Sequence, residues 1–425
     1  MNIHTSILFC GLSLTLIAPL SAETCISSEL TQPVRGMAVL IPENIIADRH
    51  ITSEPPPISQ LANMAQESLN QLQSESKNKD AFHGLYVIGS ASQRTTTNTH
   101  EDYLGLEWQL FRRGYFEGQK KSELSTSQTL LDGYRLRRNL RQQALDQSMY
   151  QINLMQNTIR AYYYHRLFTE QSHITDIYRR RMHAGFTTRV SLSQEESQLQ
   201  TIQDKRRLYD SLPHGPITST TAELLNHIES LVLMPIENLQ QQAIKNSGLE
   251  EIQQLIQRQA SLSIPSWRDN LRVGVYARRY HDYIGSQGNE IGIQFDIPVD
   301  GNTNHKAVTQ HQMHLLALQY AANKTRLQEQ LLSLKQQFHY AQDTVRQLKN
   351  DYAQLMTESS LNCKQLQHVV PMLNDTPEKS LEKMSVKILS TQRDILIARL
   401  EAYRLLLQLQ AKVQPLPGVD WYSIQ

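Results

Sequence analysis

The chain has 425 residues, of which 40% are hydrophobic and 20% are charged, but only 17 are glycine and 15 are proline. So few breaking residues predict long uninterrupted helices and strands rather than a series of ordinary compact domains. The 42 Lys and Arg residues nearly balance the 41 Asp and Glu residues, and this balance gives no reason to expect a nucleic-acid partner.

The N-terminus has the pattern of a secretory signal. Residues 7–17 are apolar, and residues 18–22 resemble a cleavage site before Glu23. An uncleaved anchor is the alternative, although the apolar segment is too short to cross a bilayer. We therefore expect a signal peptide over 1–22, followed by an irregular, proline-punctuated tail over 23–57.

A first repeat is predicted over 58–212. It begins with an amphipathic lead-in helix near 58–72 and continues with two strands near 84–94 and 103–113. The second strand alternates cleanly, with Leu104, Leu106 and Trp108 on one face and polar residues on the other. A long helix is expected from about 116, and it turns back on itself at 183–185. The arginine-rich stretch at 135–141 is interpreted as a solvated helix face.

The same order of elements returns after a linker at 213–235. The second repeat, over 236–414, has a helical lead-in at 236–262, strands near 270–280 and 290–299, and a long helix from about 302. A break at 371–377 predicts a returning helix, and 415–425 is a C-terminal tail. The apolar residues of these helices step alternately by three and four, from Leu327 to Leu355 and from Leu381 to Leu409. This spacing is typical of coiled-coil seams, so each repeat is predicted to end in an antiparallel hairpin.

Four strands of about ten residues cannot close a membrane barrel, since the smallest known barrels have eight strands and an open edge is not tolerated in lipid. Two chains would give eight strands with a filled core, and three would give twelve strands around a lumen. Polar positions on the faces opposite the apolar ones favour a water-filled lumen, and hence three chains. These lumen-facing candidates are Glu107, Gln109, Arg272, Arg278, Gln294 and Asp296.

The strand-to-helix junctions carry a family resemblance. The sequences Gln-Leu-Phe-Arg-Arg-Gly at 109–114 and Asp-Ile-Pro-Val-Asp-Gly at 296–301 are similar to the junctions of the TolC-like outer-membrane efflux protein family. The segment 181–192 resembles the hairpin motif of that family, and 385–392 occupies the matching place in the second repeat. The likeness covers about 58–413, and the doubled order of these motifs is its strongest part.

The resemblance implies an α+β membrane protein with two repeats, each a strand pair followed by a long antiparallel coiled-coil hairpin. A homotrimer would form a 12-stranded β-barrel in the outer membrane of a Gram-negative bacterium, continued by an α-helical barrel in the periplasm. It would serve as the passive exit duct of a tripartite efflux or type I secretion system and be opened by partner proteins. The implied partners are outer-membrane lipid, a periplasmic adaptor (membrane fusion protein) and an inner-membrane transporter.

The hairpin tips are the implied constriction. The candidates there are Gly185, Arg189, Ser191, Lys387 and Ser390. Some relatives carry acidic residues at this mouth, whereas this chain has Ser191 and Ser390 with Arg189 and Lys387 nearby. A basic ring that favours anions is one interpretation. The alternative is that both basic side chains point outward and pair with acids such as Glu195 or Glu382.

Other interpretations are weaker or remain open. A periplasmic coiled-coil adaptor or scaffold protein of an export complex is the alternative function, but an adaptor would carry one hairpin rather than two.

Cys25 and Cys363 would share an oxidising compartment and allow one disulfide, with two free thiols as the alternative. His311 and His314 have ligand-like spacing without completing residues nearby. No catalytic motif is present, so neither an enzyme nor a cofactor or metal is predicted.

Overall fold

The computed structural model of the chain describes residues 41–42, 45–46, 64, 67–68, 70–71, 74, 84–94, 99–111, 114–263, 271–282, 284, 286–296, 304–368, 377–413 and 422–424. The predicted signal peptide and most of the predicted tail and lead-in helix lie outside these residues.

The described chain is mostly helical, with one small antiparallel sheet and one short strand pair. Its helices are α1 (Tyr115–His183), α2 (Arg189–Ser211), α3 (Ser219–His227), α4 (Ile236–Asn246), α5 (Leu249–Ser263), α6 (Asn304–His368) and α7 (Pro377–Val413). Its strands are β1 (Leu85–Arg94), β2 (Thr99–Gln109), β3 (Leu231–Leu233), β4 (Arg272–His281), β5 (Gln287–Asp296) and β6 (Tyr422–Ile424).

Two long hairpins pack side by side in one layer. Helix α1 packs against α2 and against α7, and α7 also packs against α6, so the order across the layer is α2–α1–α7–α6. The 69 residues of α1 span roughly 100 Å at 1.5 Å per residue. Helix α6 also packs against the shorter helices α4 and α5, and no fifth long helix flanks the outer side of α2 or of α6 in the described chain.

The predicted seams form the core of this layer. In α6 the heptad positions Leu331, Phe338 and Val345 are fully buried. In α7, Ile395 and Leu409 occupy the predicted seam and are fully buried as well. The heptad prediction is therefore confirmed, and it explains why helices with little overall amphipathicity remain paired along their length.

Helix α7 has a second buried stripe that the heptad pattern does not include. Leu396, Leu400 and Leu406 are buried beside the predicted seam. The reason is the central position of α7, because a helix that packs between α6 and α1 must bury two faces. A single-seam interpretation of α7 was therefore incomplete.

The strand pairs of the two repeats join into one four-stranded antiparallel sheet with the order β1–β2–β4–β5. The strand positions differ from prediction. Strand β2 ends at Gln109 rather than 113, because Phe111 and Gly114 form a turn closed by a Gly114 N–H to Phe111 oxygen bond of 2.7 Å. Strand β5 begins at Gln287 rather than 290, and residues 297–300 lie outside the described chain.

The stretch expected to be a linker, 213–235, contains folded structure. It forms α3, a short 3₁₀ turn and β3, and β3 pairs with β6 from the C-terminal tail. Ile217, Leu225 and Ile228 of this stretch are buried. These elements are too short for a periodic signal, and the β3–β6 pairing joins residues about 190 positions apart, so the sequence pattern does not reveal it.

The predicted lead-in helix of the second repeat is two helices. Helix α4 ends at Asn246 and α5 starts at Leu249, with Gly248 between them at a φ of 69°. Glycine tolerates this left-handed conformation without the steric penalty of a side chain. Asn246 Nδ2 donates to the carbonyl oxygen of Val413 at 3.2 Å, which fixes the break beside the C-terminal end of α7.

Candidate functional site

One face of the four-stranded sheet carries a connected set of polar side chains. Tyr276 donates its hydroxyl to Glu290 Oε1 at 2.6 Å, and Arg278 donates Nε–H to Glu290 Oε2 at 2.8 Å. The guanidinium of Arg278 also lies over the ring of Tyr103, 4.8 Å from its centroid. A charged pair supported by a hydroxyl and an aromatic ring holds these three strands in one arrangement.

A second polar group lies closer to the helices on the same face. Gln109 Nε2 donates to Glu107 Oε1 at 3.1 Å, and Arg272 Nη2 lies 3.8 Å from the same oxygen. The Glu107 side chain is almost fully buried although it is charged. Burying a carboxylate is costly unless it is paired, and Arg272 and Gln109 are its partners.

Glycines opposite these side chains make the close packing feasible. A Cβ at Gly274 would lie 2.6 Å from Glu107 Oε1, and a Cβ at Gly105 would lie 2.6 Å from Arg278 Cβ. A Cβ at Gly292 would clash with the hydroxyl oxygen of Tyr276. Each large polar side chain therefore lies across a glycine of the neighbouring strand.

The opposite face of the sheet is apolar and exposed. Ile291 exposes 81% of its surface and Val87 exposes 75%. Register places Val87, Leu106, Ala277 and Ile291 side by side across the four strands. The predicted division of each strand into an apolar and a polar face is thus present in the structure. We call these the outward and inward faces.

The six lumen-facing candidates fall on the inward face of the sheet. Glu107, Gln109, Arg272, Arg278 and Gln294 lie there by strand alternation, and Asp296 pairs with Arg272 in the register. The side chain of Asp296 lies outside the described residues. Sequence alternation placed these residues but did not identify Glu290, which accepts from both Tyr276 and Arg278.

The α1–α2 turn forms the tip of the first hairpin. Gly185 adopts a φ of 78°, and Thr188 caps α2 by accepting a hydrogen bond from the backbone N–H of Ser191 at 3.2 Å. Two large apolar side chains are exposed around this turn: Phe186 by 60% and Val190 by 69%. Because two large apolar side chains are exposed at this capped turn, the tip is a candidate contact surface.

One buried carboxylate joins the two hairpins near the tip. Glu195 of α2 exposes only 2% of its side chain, accepts from Gln171 Nε2 of α1 at 2.8 Å, and lies 2.8 Å from Lys383 Nζ of α7. The sequence offers Glu195 as a candidate partner for Arg189 or Lys387. In the structure Glu195 pairs with Lys383 instead. The side chain of Glu382, the other acid considered, is outside the described residues.

Arg189 and Lys387 are exposed near this junction. Neither side chain forms an ion pair with an acid in the parts of the chain that the structure describes. Ser191 and Ser390 are half-buried on α2 and α7, and Gly185 is exposed in the turn. The second hairpin turn, 369–376, is outside the described residues, so the five tip candidates are located individually rather than as a ring.

A second polar link lies at the middle of the helical layer. The Arg399 side chain is 99% buried, donates Nη1–H to Asn226 Oδ1 at 3.2 Å, and lies 3.5 Å from Glu229. Lys349 Nζ also contacts Glu229. Burial lowers the pKa of the Arg399 guanidinium, while Glu229 opposes that shift. This link connects the folded 213–235 stretch to α6 and α7, and no sequence pattern predicted it.

Two further expectations concern cysteines and metals. Cys25 lies outside the described residues, and the side chain of Cys363 in α6 is not described. Among the side chains that are described, no group of three or more His, Cys, Asp or Glu residues is close enough to hold a metal ion.

In the described part of the chain, no helix has an apolar stretch long enough to cross a membrane.

Comparison with known protein families finds no match, and a comparison with curated proteins finds none either. Solved structures do resemble the chain. CusC, described for its transmembrane channel formation, superposes with a TM-score of 0.59 at 12% identity, covering 84% of this chain and 90% of CusC. The outer membrane protein VceC from Vibrio cholerae superposes with a TM-score of 0.54 at 13% identity, covering 84% of this chain and 95% of VceC.

A membrane protein from Pseudomonas aeruginosa gives a TM-score of 0.51 at 11% identity, with 87% and 96% of the two chains covered. At these identities the likeness establishes a shared fold. The resemblance predicted from the sequence is confirmed at the level of the fold, since at least 84% of this chain and at least 90% of each of these three structures are covered.

Proposed function

We propose that the chain is an outer-membrane channel-tunnel, the passive exit duct of a tripartite efflux or type I secretion system in a Gram-negative bacterium. The observation that carries this proposal is the sheet. It has an exposed apolar outward face, a polar inward face and two edge strands, β1 and β5, without a partner strand in the described chain.

These edges support assembly from several chains. A sheet edge in hydrocarbon leaves unpaired backbone groups that cost several kcal/mol each, so β1 of one copy must pair with β5 of another. Three copies give twelve strands, and the charged inward residues Arg278 and Glu290 favour a wet lumen over a packed core. The free sides of α2 and α6 would close in the same way and extend the barrel into a periplasmic helical tube.

The helical tube suggests how partners act. A periplasmic adaptor and an inner-membrane transporter would meet the hairpin tips, where Phe186 and Val190 are exposed. Contacts that separate α7 from α2 would have to break the Glu195–Lys383 pair, so adaptor binding at the tip is well placed to open the tube.

The alternative of a periplasmic coiled-coil adaptor fits the sheet poorly. In a water-soluble adaptor, the side chains of Ile291, Ile293 and Phe295 on the outward face of the sheet would be exposed to solvent. Their apolar character would then have no explanation. The shared fold with CusC and VceC also supports a channel, because it covers 84% of this chain in both comparisons.

Planar-bilayer recording of the full-length purified protein tests the proposal. We expect discrete, long-lived conductance steps on insertion. Deletion of 85–109, which removes β1 and β2, should abolish the steps, whereas Lys121→Ala, at an exposed position of α1 outside the sheet, should leave them measurable. Absence of conductance from correctly folded wild-type protein would contradict the proposed channel.

A further inference from the structure

Two stacked tyrosines join α1 and α2 in the helical layer. The rings of Tyr164 on α1 and Tyr209 on α2 are parallel to within 6°, and their centroids lie 5.3 Å apart. Tyr164 exposes 7% of its surface, and Tyr209 is half-buried. We call these two residues the tyrosine pair. Because each ring is held by the other, the pair is a fixed aromatic surface in the seam between the two helices.

Three cationic groups surround the tyrosine pair. Arg160 Cζ lies 5.5 Å from the ring centroid of Tyr209. Lys205 Nζ lies 5.8 Å and Arg393 Cζ lies 5.1 Å from the ring centroid of Tyr164. These distances are within the range of cation–π attraction. Helices α1, α2 and α7 contribute one cation each, so the cluster exists only where these three helices meet.

Two of the three cations have no acidic partner in the part of the chain that the structure describes. Arg393 is neutralised by Asp394, whose Oδ1 lies 2.8 Å from Arg393 Nη2. Arg160 and Lys205 form no ion pair with a described residue, and Lys205 is exposed. The cluster therefore carries an excess of positive charge directly beside two aromatic rings.

The acids closest in sequence on α2 are engaged by other side chains. Asp204 accepts from Gln200 Nε2 at 2.9 Å, and Asp210 Oδ2 lies 3.5 Å from Arg206 Nε. Arg206 is an instructive contrast, because its guanidinium also lies over a ring, 5.0 Å from the centroid of Phe168. At that place in the same seam the chain supplies a cation, a ring and an acid.

The cluster lies on the concave face of the helical layer. Gln171 follows Tyr164 by seven residues, about two helical turns, and so faces the same way. At that level Lys383 of α7 reaches Glu195 of α2 across α1. Arg393 of α7 likewise reaches the tyrosine pair, which includes a residue of α2. Helices α7 and α2 thus approach each other on this face of α1.

The folded stretch 213–235 lies on the other face. Thr158 Oγ1 of α1 donates to the carbonyl oxygen of Gly215 at 2.8 Å. Arg160 follows Thr158 by two residues, which is about 200° around the helix. A layer that closes into a tube has its concave face inside, so the cluster would line the lumen of the proposed channel.

We propose that the tyrosine pair, Arg160 and Lys205 form a binding site for organic anions in which an acidic group lies beside a flat apolar ring. The inference rests on the proposed channel for its position in the lumen, and it adds a class of cargo that the inner wall recognises. Three chains would place three such sites at one level of the tube.

The chemistry of the cluster suits such a ligand. An arginine stacked on a ring keeps the edge of its guanidinium available, and that edge matches a carboxylate or sulfonate. Lys205 offers a second charged donor from the facing helix. Leu208 lies one turn after Lys205 and exposes 53% of its surface, so apolar area is also available to a ring. Aromatic and apolar surface with a few charged groups is typical of small-molecule sites.

A purely structural role would explain the tyrosine pair and Arg393 but not the other two cations. Where Arg206 and Arg393 join helices through aromatic rings, an acid neutralises each of them. Arg160 and Lys205 have the ring without the acid, so their charge is available to a bound anion.

Calorimetric titration of the purified full-length protein with 2-naphthoate tests the inference. 2-Naphthylmethanol supplies the ring without the charge, and acetate supplies the charge without the ring. We expect saturable binding of one naphthoate per chain and at least about tenfold weaker binding of the other two probes, because each of these lacks one of the two contacts.

Arg160→Gln and Lys205→Gln should each weaken naphthoate binding about tenfold, since each removes a charged hydrogen-bond donor. Arg166→Gln is the matched control. Arg166 also lies over a tyrosine, 5.9 Å from the ring centroid of Tyr162, but it follows Tyr164 by two residues and so faces the opposite side of α1. Its replacement should leave the affinity unchanged within about twofold. Circular dichroism verifies that each variant folds.

Three results of the titration would overturn the inference. Equal affinities for naphthoate and for either of the other probes would show that ring and charge are not recognised together. An affinity that neither Arg160→Gln nor Lys205→Gln lowers would place the anion elsewhere. Equal weakening in Arg166→Gln would show a general effect of protein charge.

Planar-bilayer recording separates failure of this site from failure of the channel. Naphthoate should briefly interrupt the current of the wild-type pore, and the interruptions should be shorter in Lys205→Gln. Conductance steps that naphthoate never interrupts would overturn the cargo site and leave the channel standing. Naphthoate binding to a folded protein that gives no steps would contradict the channel while confirming the anion site.

Discussion

Lys383 Nζ lies 2.8 Å from Glu195 Oε1, and this ion pair connects the second helical hairpin to the first. Gln171 of α1 donates to the other carboxylate oxygen, so one buried acid of α2 links α2 to α1 and to α7. A contact of this kind resists separation of α7 from α2, which is the movement that opening of the tip requires in the proposed channel.

Replacing Lys383 with methionine should therefore weaken the tip. The substitution leaves the buried Glu195 carboxylate with Gln171 as its remaining side-chain donor, and an under-satisfied buried acid costs about 1–2 kcal/mol. We expect the apparent free energy of unfolding in denaturant to fall by about that amount. Single-channel recordings should also show longer open times.

Lys387→Met is the matched control for stability. Lys387 lies one turn from Lys383 on the same helix and forms no ion pair with the described residues, so its replacement should change the unfolding free energy by less than about 0.5 kcal/mol. Equal effects of the two substitutions would contradict the role assigned to the Glu195–Lys383 pair.

Lys412 should make the free energy of unfolding vary with pH. Burial, and then the nearby guanidinium groups of Arg138 and Arg326, lower the pKa of Lys412 below its ordinary value of 10.5. The folded chain thus binds this proton more weakly than the unfolded chain does, so charged Lys412 opposes folding at neutral pH. This opposition is lost as the pH rises through the lowered pKa towards 10.5.

Lys412→Met should accordingly raise the melting temperature at pH 7.5, and the gain should shrink as the pH approaches 10.5. Circular dichroism at a series of pH values measures this. In an Arg326→Gln background the gain at pH 7.5 should be smaller, because one opposing cation is already absent. A gain that grows with pH would show that the sign of the linkage is wrong.

Gly292 should be sensitive to a single added methyl group. In Gly292→Ala the new Cβ would clash with the Tyr276 hydroxyl, which must then leave Glu290. Overpacking of this kind costs about 1–3 kcal/mol. Gly89→Ala on the outward face places its Cβ 3.4 Å from the nearest atom and is the control. Heat-induced dissociation on a gel should occur at a lower temperature only in the first variant.

The regular spacing of apolar residues predicts the faces of the helices and strands that the structure shows. Leu331, Phe338 and Val345 follow a 3.5-residue repeat and form a buried face. Leu104, Leu106 and Trp108 follow a two-residue repeat and form an exposed face. These regularities extend over many residues, so they are visible without knowledge of the contacts. Element boundaries were less accurate, because the turn after Gln109 depends on backbone hydrogen bonds rather than on side-chain pattern.

Contacts between distant parts of the chain could not be predicted. Arg399 lies in α7 and contacts Asn226 and Glu229 from a stretch interpreted as a linker. Arg141 was interpreted as part of a solvated face, but it is half-buried, and burial lowers the pKa of its guanidinium to about 10. Arg399 thus meets partners from elsewhere in the sequence, and neither its charge nor its spacing encodes that meeting.

The exposed bases at the tip should influence ion selectivity. Three copies of Arg189 and Lys387 would place about six positive charges around the mouth if both side chains face the lumen, and rings of charge bias which ions cross. Lys387→Glu should shift the reversal potential in a salt gradient towards cation preference, and micromolar divalent cations should not block the wild-type pore. Lys121→Ala, at the opposite end of the helical layer, is the control.

Block of the wild-type pore by micromolar divalent cations, together with unchanged selectivity in Lys387→Ala, would contradict the basic ring. It would favour the outward arrangement of both side chains instead. Of the two acids considered for that arrangement, Glu195 is engaged by Lys383, and the side chain of Glu382 is outside the described residues.

Closure of the sheet by copies of the same chain is the central claim, and the mass of the assembly tests it most directly. Native mass measurement of the full-length protein in a mild detergent, combined with circular dichroism, reports chain number and strand content together. We predict the mass of three chains, each 48.9 kDa before any processing, with the strand content of the folded sheet. A stable monomer that retains its full strand content would contradict the account, because its β1 and β5 edges would then need no partner.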